Sequence, residues 1–328
     1  YSGDRDGRST VWYPTLFQPV RLCVGIVSHY PFSQHSSGAC GGRVQTKRPM
    51  KRKIIQILGM ALIIAATLVV VAILGVVLFD LTAKGAPVLS WEFLTQSPKK
   101  GMTEGGIFPA IFGTTAVTLL STMLATPLGI GCAIFLHEYA PDNTFTRLIR
   151  ASIRNLAGVP SIVYGLFGVA IFVQFLGMGA SLLAAGCTLG LLTLPSIITT
   201  TEEALRNVPR LTREGALALG ATKWETIRTV VLPSALPGIL TGVILALSRG
   251  AGETAPILFT GVAFYSRYLP GSVFDEFMAL PYHLYILSTQ HHAIEEVRPL
   301  AYATALTLIL LVFMLNLTAF WARARWQR

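Results

Sequence analysis

Charge is scarce in this chain. Only 13% of its 328 residues are Asp, Glu, Lys or Arg, about half the share found in soluble globular domains, so an ordinary water-facing surface is excluded. Cysteine is rarer still. Cys23, Cys40, Cys132 and Cys187 are the only four, and none forms a C-x-x-C pair, which argues against metal or disulfide chemistry. The last two lie inside apolar segments and read as small packing residues. No H-E-x-x-H occurs, and no nucleophile and base stand in a recognisable arrangement. A phosphate-cradling G-x-x-x-x-G-K-[ST] is missing too. Its nearest approach, Gly215 to Gly220, is followed by Ala221, Thr222 and Lys223, so the lysine is displaced by two positions. The chain is therefore not read as an enzyme, and no cofactor is expected on it.

What is abundant is apolar surface: 52% of residues are hydrophobic and the mean hydropathy is +0.59. These values predict an all-α, polytopic membrane protein. A formal net charge of +10 does not point to nucleic acid, because the basic residues cluster beside apolar runs and build no face interleaved with exposed aromatics. A cytoplasmic bias of Lys and Arg beside membrane spans explains them.

Against the rule that about 20 apolar residues cross a bilayer, six spans are expected at approximately 54–79, 107–136, 153–176, 181–200, 234–260 and 300–321. The first is the clearest, since Lys51, Arg52 and Lys53 precede an uncharged run from Ile54 to Phe79 that Asp80 ends. That charge pattern sets its N-terminal side in the cytoplasm, and alternation then makes 137–152, 201–233 and the tail with Arg323, Arg325 and Arg328 cytoplasmic, with both termini inside. Residues 80–106, the turn near Gly177 and 261–299 fall outside. Residues 1–49 are rich in Ser, Gly and Arg, carry no apolar run of signal-peptide length, and are expected to be a disordered or spurious extension. Residues 50–106 would hold the first span and an outer loop, and 107–328 the main transmembrane domain.

Between two of the spans lies a polar insert, Glu214 to Pro233, EGALALGATKWETIRTVVLP. Pro209 suits an early helical position, Gly220 supplies a left-handed residue to end one helix, and Thr222 with Glu225 forms a T-x-x-E capping box to start another. Pro233 is expected to close the second helix. Trp224, Ile227 and Val231, three and four apart, form an apolar stripe suited to a groove on a partner.

The residues Glu214, Gly215, Ala216, Gly220, Val230, Leu232 and Pro233 resemble the EAA loop of ABC importer permeases, E-A-A-x3-G-x9-I-x-L-P, with Gly215 for the first alanine and Val230 for the isoleucine. AGVPSIVYGLFG at 157–168, TLPSIITTTEEALRNVP at 193–209 and SRGAGETAPILFTG at 248–261 are similar to the phosphate-transport permease (PstA) family. That resemblance runs from about Thr114 to the C-terminus. It implies a type I ABC importer permease (MetI-like) fold with coupling helices at 202–233, embedded in lipid of the bacterial cytoplasmic membrane. It also implies a PstC-like second permease, a PstB-like ATPase dimer that uses ATP and Mg, and a PstS-like binding protein outside. A permease for molybdate or sulfate, or a membrane phosphate sensor without flux, would share parts of this pattern.

Arg249 and Glu253 stand in an otherwise apolar segment, where each charge costs about 2.5–3.5 kcal/mol on insertion scales. Their spacing puts both on one helical face. Either Arg249 offers its planar fork of donors to a passing phosphate while Glu253 holds or releases it, or the two are a permanent pair that fixes packing. Gly250 and Gly252 allow either close helix approach or a local break. Pro127, Pro160, Pro195 and Pro256 interrupt four spans as hinges or static bends. Arg154 is read as snorkelling to the membrane surface, and Ser161 and Tyr164 as candidates for lining the route. His137 and Glu138 are adjacent, do not face each other on a helix, and mark a membrane boundary.

Overall fold

The computed structural model describes residues 50–326 and is almost wholly helical. The expected extension at 1–49, with Cys23 and Cys40, and the tail residue Arg328 lie outside the described residues. By contacts the chain divides into 1–65 and 66–328; within the first part residues 50–65 are helical.

Helix α1 (Met50–Gly85) is made by a mostly apolar run with few polar side chains to compete for backbone hydrogen bonds. Its exposed Leu68, Val70 and Phe79 suit lipid contact. The helix outlasts Asp80 because Lys84 pairs with it one turn later at 2.7 Å. It stops where Gly85 meets the backbone of Tyr302, whose oxygen would lie 2.8 Å from an added Cβ.

Short elements follow: α2 (Trp91–Thr95) and the two-residue strands β1 (Pro98–Lys99) and β2 (Glu104–Gly105), paired antiparallel. Then comes α3 (Phe108–Ile134), which continues as a π turn over Phe135–Tyr139. Its buried residues include Ala110, Gly113, Thr114, Val117, Thr118, Ser121, Ala125, Gly129 and Ala133, a stripe of small side chains three and four apart. Small residues let backbones approach closely where lipid offers no hydrophobic drive between helices. That stripe packs on α6 (Leu182–Arg206), where Gly129 leaves room for Ile197 and Gly186 for Leu120. The hydroxyls in the stripe bond backward along their own helix: Thr114 donates to Ala110 O and Thr118 to Thr114 O, each at 2.7 Å.

The third expected span is not continuous. Residues 153–156 end an amphipathic helix, α4 (Thr144–Leu156), and a new helix, α5 (Ser161–Gly168), starts after Pro160 and continues as a π segment to Phe175. The two are bent by 101°. Pro160 has no N–H to continue α4 and restricts Val159 before it, and Gly158 gives the chain room to turn. Asn143 starts α4 by accepting from Thr146 N at 2.8 Å. Among the described residues five helices are long and apolar enough to span a membrane, or six if the bent pair counts as one.

After α6 come α7 (Arg210–Ala218) and a long helix made of α8 (Lys223–Thr226), a π turn (Ile227–Val231) and α9 (Leu232–Gly252). Pro233 therefore does not close a helix. The π turn lets Leu232 N donate to Ile227 O, five residues back, and Ser234 Oγ donates to Val230 O at 2.7 Å, so the carbonyls of Ile227 and Val230 have partners where the helix runs on through the proline. The chain ends with α10 (Ala255–Leu258), α11 (Leu280–Thr289) and α12 (Ile294–Trp326). Of the expected prolines, Pro127 and Pro195 lie inside helices, whereas Pro160 precedes one and Pro256 begins one; Pro237 and Pro299 also lie inside helices. Cys132 and Cys187 are half-buried free thiols.

His283 on α11 is 3% exposed, and its Nδ1 has no hydrogen-bond partner. Burial first, and the nearby His291 second, push its pKa down to about 4, so the folded chain holds it neutral. Below about pH 6.5 the unfolded chain takes up a proton that the folded chain refuses, so stability falls with pH until about 4, by up to roughly 3 kcal/mol. Melting temperatures of the detergent-solubilised protein between pH 7.5 and 4.5 are expected to fall steeply, and less steeply for His283→Phe.

Candidate coupling and translocation sites

The insert folds as two helices around a glycine. Gly220 has φ +88° with no atom within 4 Å of a would-be Cβ, so its role is conformational and not a matter of space. The next helix opens with the expected capping box: Thr222 Oγ1 accepts from Glu225 N at 3.3 Å, and the Glu225 carboxylate accepts from Thr222 N at 2.8 Å. Glu214, Gly215 and Gly220 are exposed and Ala216 is half-buried. Val230 and Leu232 are half-buried, and Pro233 is exposed on the continuous helix. The seven residues thus fall in two groups, four on or beside α7 and its turn, and three at the root of α9.

The apolar stripe does not face a partner. Ile227 is 1% exposed and Val231 0%; Val231 packs with Ala204, Leu205, Val208, Ala235 and Ile239 in the chain's own core. Only Trp224 of the three is free, at 57%. Helical spacing alone cannot tell an inward stripe from an outward one. The apolar side chains presented by α7, its turn and α8 are Leu211, Leu217, Leu219 and Trp224.

Arg249 and Glu253 are brought together, with Nε and Oε1 3.3 Å apart. They are not both inside a helix, however. α9 ends at Gly252, and Glu253 has extended backbone (φ −76°, ψ 130°). The pair therefore marks the end of the helix, and the two glycines divide their roles. A Cβ added at Gly250 would lie 3.6 Å from Leu189, whereas one added at Gly252, at the break, would meet no atom within 4 Å. Arg249 is 43% and Glu253 20% exposed, which leaves the guanidinium accessible for a second partner. Tyr164 does not line an open route: it is buried, and its hydroxyl donates to Leu156 O at 2.8 Å, across the bend between α4 and α5.

His137 and Glu138 do meet. Their π turn brings His137 Nδ1 within 3.0 Å of Glu138 Oε1, a contact that regular helix geometry would not give neighbours. The same oxygen lies 3.1 Å from Arg213 Nη2. Arg213 also donates to Val208 O at 2.7 Å and to Leu205 O at 2.6 Å. Arg150 Nε pairs with Glu202 at 3.1 Å and its Nη2 donates to Leu136 O. Sequence reasoning missed this cluster, because Glu138 and Arg213 are 75 positions apart and each looks like an ordinary boundary charge.

The pattern of the family described as binding-protein-dependent transport system inner membrane component matches residues 125–327, and the chain belongs to that family. It is 33% identical over 283 residues to a probable ABC transporter permease protein, YqgI, of Bacillus subtilis, covering 83% of this chain and 96% of that one. It is 39% identical over 234 residues to the phosphate transport system permease protein PstA of Mycobacterium leprae, covering 70% and 75%, and 36% identical over 239 residues to that of Xylella fastidiosa, covering 73% and 82%. Among solved structures, an inward-facing MetNI methionine ABC transporter matches with TM-score 0.53 at 20% identity, covering 67% of this chain and 95% of that one. A bacterial alginate ABC transporter matches with TM-score 0.60 at 14% identity, covering 83% and 96%. The fold is that of a type I ABC importer permease, and the chain is a multi-pass inner-membrane transport subunit.

Substituting Gly220 with Val would force a β-branched residue into left-handed backbone, at a cost of roughly 1–2 kcal/mol. Amide hydrogen exchange across 218–226 is expected to quicken severalfold in the purified protein, with the rest of the chain unchanged.

Proposed function

We propose that this chain is one permease subunit of an ATP-driven importer of inorganic phosphate. The observation that carries the reading is the projecting pair of helices around Gly220, whose apolar side chains, Leu211, Leu217, Leu219 and Trp224, are left exposed. An exposed apolar set of this kind on a compact projection calls for a protein partner. The identities to phosphate transport permeases supply the substrate class. On this reading the chain binds no nucleotide, and ATP and Mg belong to a PstB-like ATPase dimer that receives the projection from the cytoplasmic side. A PstC-like permease completes the pathway, and a PstS-like protein delivers phosphate from outside. Both termini of the chain lie in the cytoplasm.

The mechanism has three linked steps. ATP binding closes the ATPase dimer, the coupling helices move with it, and the paired permeases change from inward-facing to outward-facing. Phosphate released by the binding protein passes Arg249 and enters the cytoplasm on reset. The accessible guanidinium at the break after Gly252 supports this role, because a planar fork of donors matches two phosphate oxygens and Glu253 can hold the arginine between passages. Glu214, Gly215, Ala216 and Gly220 shape the projection, and Val230, Leu232 and Pro233 form its root on α9.

Two outcomes follow in proteoliposomes holding the whole complex. Arg249→Gln is expected to lower phosphate uptake by about 100-fold or more while the subunits still co-purify; normal uptake would remove Arg249 from the pathway, and inhibition of wild-type uptake by molybdate or sulfate at equal concentration would reassign the substrate. Leu219→Asp with Trp224→Ala is expected to release the ATPase from the purified complex, since a charge placed in an apolar contact is left unpaired. Retention of the ATPase by that variant would move the docking surface elsewhere.

A further inference from the structure

Covalently, the projection joins only α6 and α9. Its side chains reach a third helix. Arg213, on α7, lies with its fork against Glu138 in the π turn that ends α3, at 3.1 Å, while also donating to Leu205 O and Val208 O at the end of α6. Lys223, the first residue of α8, sits over the ring of Tyr139 in the same turn, 4.9 Å from its centroid. Arg150 of α4 reaches that turn as well, through Leu136 O, and pairs with Glu202 of α6. Five residues, Phe135–Tyr139, thus receive contacts from α4, α7 and α8.

We propose that this turn is where movement of the projection enters the rest of the bundle, and that Arg213 is the positioning residue that carries it. The inference rests on the coupling role assigned above. Three observations support it. First, the contact is shielded, though not fully buried: side chains of Arg213 and Glu138 are 17% and 11% exposed, and a charge pair with less water around it is stiffer than a surface pair. Second, Arg213 joins two helices at once. Its Nη atoms hold Leu205 O near the end of α6, Val208 O just beyond it and the carboxylate that follows α3, so α7 cannot shift without pulling both ends or breaking several charge-assisted bonds together. Third, the receiving element is a π turn, in which Ala140 N donates to Phe135 O five residues back at 2.9 Å. Such turns have a looser register than an α-helix and adjust without unwinding it. A rigid lever with an adjustable socket is what transmission from a partner to α3 requires. Since α3 and α6 form an extensive small-residue interface, displacement of both ends by one guanidinium would shift that interface as a unit.

The test uses the complete importer in proteoliposomes, with ATP hydrolysis measured with and without phosphate-loaded binding protein, beside uptake of inorganic phosphate. Glu138→Gln keeps the shape and an acceptor oxygen but removes the charge; Arg213→Lys keeps the charge but not the fork; Arg213→Gln removes both. All three complexes are expected to retain their subunits and a basal hydrolysis within about twofold of wild type, while stimulation by the binding protein falls at least about fivefold in Glu138→Gln and Arg213→Gln and is partly restored in Arg213→Lys. The double variant Glu138→Gln with Arg213→Gln is expected to be no worse than the poorer single one, because the two act through one contact. Unchanged stimulation, strictly additive losses, or loss of the ATPase from the complex would each overturn the proposal. A wild-type complex stimulated by the binding protein loaded with another anion, but not with phosphate, would sink the substrate assignment alone, and the same comparisons would then be made with that anion. Hydrolysis in the wild type that ignores the binding protein would overturn both.

Discussion

At several helix ends and bends of this bundle, a side-chain donor from elsewhere in the chain or from the same turn meets a backbone carbonyl. That pairing organises the molecule. At the bend between α4 and α5 the Tyr164 hydroxyl meets Leu156 O. At the end of α6 the Arg213 guanidinium meets Leu205 O and Val208 O. Beside Pro233 it is the Ser234 hydroxyl that meets Val230 O, and at the end of α3 Arg150 meets Leu136 O. The donors come from elements that must therefore stay in place, so satisfying the backbone also fixes which helix ends lie together.

Two of those donors are charged, and this gives the interruptions a second property. A hydroxyl closes a gap and does little more. A guanidinium brings a charge that must itself be answered, and the answers, Glu138 for Arg213 and Glu202 for Arg150, lie on other helices. The end of the bundle nearest the Gly220 projection is accordingly tied by charge-assisted bonds, while the interior, between α3 and α6, is tied by small residues and by hydroxyls that bond along their own helix. A partner pushing on the projection would meet the stiff, directional part first and the slippery, small-residue interface second. That ordering is mechanically suited to passing a displacement inward.

Much of this was legible in the residues. Long uncharged runs gave the spans, because a bilayer asks only for length and low polarity. Gly220 as a left-handed residue and Thr222 with Glu225 as a capping box were readable because both are local: their partners lie within a turn. The expectations that were corrected share the opposite property. The stripe of Trp224, Ile227 and Val231 had the right period but the wrong direction. Pro233 looks like a stop in the sequence because the continuation of the helix through it depends on a π turn. An interruption at Pro160 was legible in the third span, but not its size, a bend of 101° across which Tyr164 donates to Leu156 O. Glu253 keeps its pairing with Arg249 although the helix has already ended.

The sequence by itself determined the class of molecule, the family resemblance and the local punctuation of the coupling element, since these rest on composition, spacing and backbone preferences within a few residues. Only the tertiary structure decided which face of each helix turns inward, and which distant charges meet: Ile227 and Val231 are core, Leu219 is surface, and Arg213 finds Glu138. Those outcomes depend on the competition of all the helices for one interior, in which a side chain's position is set by its neighbours in space and not by its neighbours along the chain.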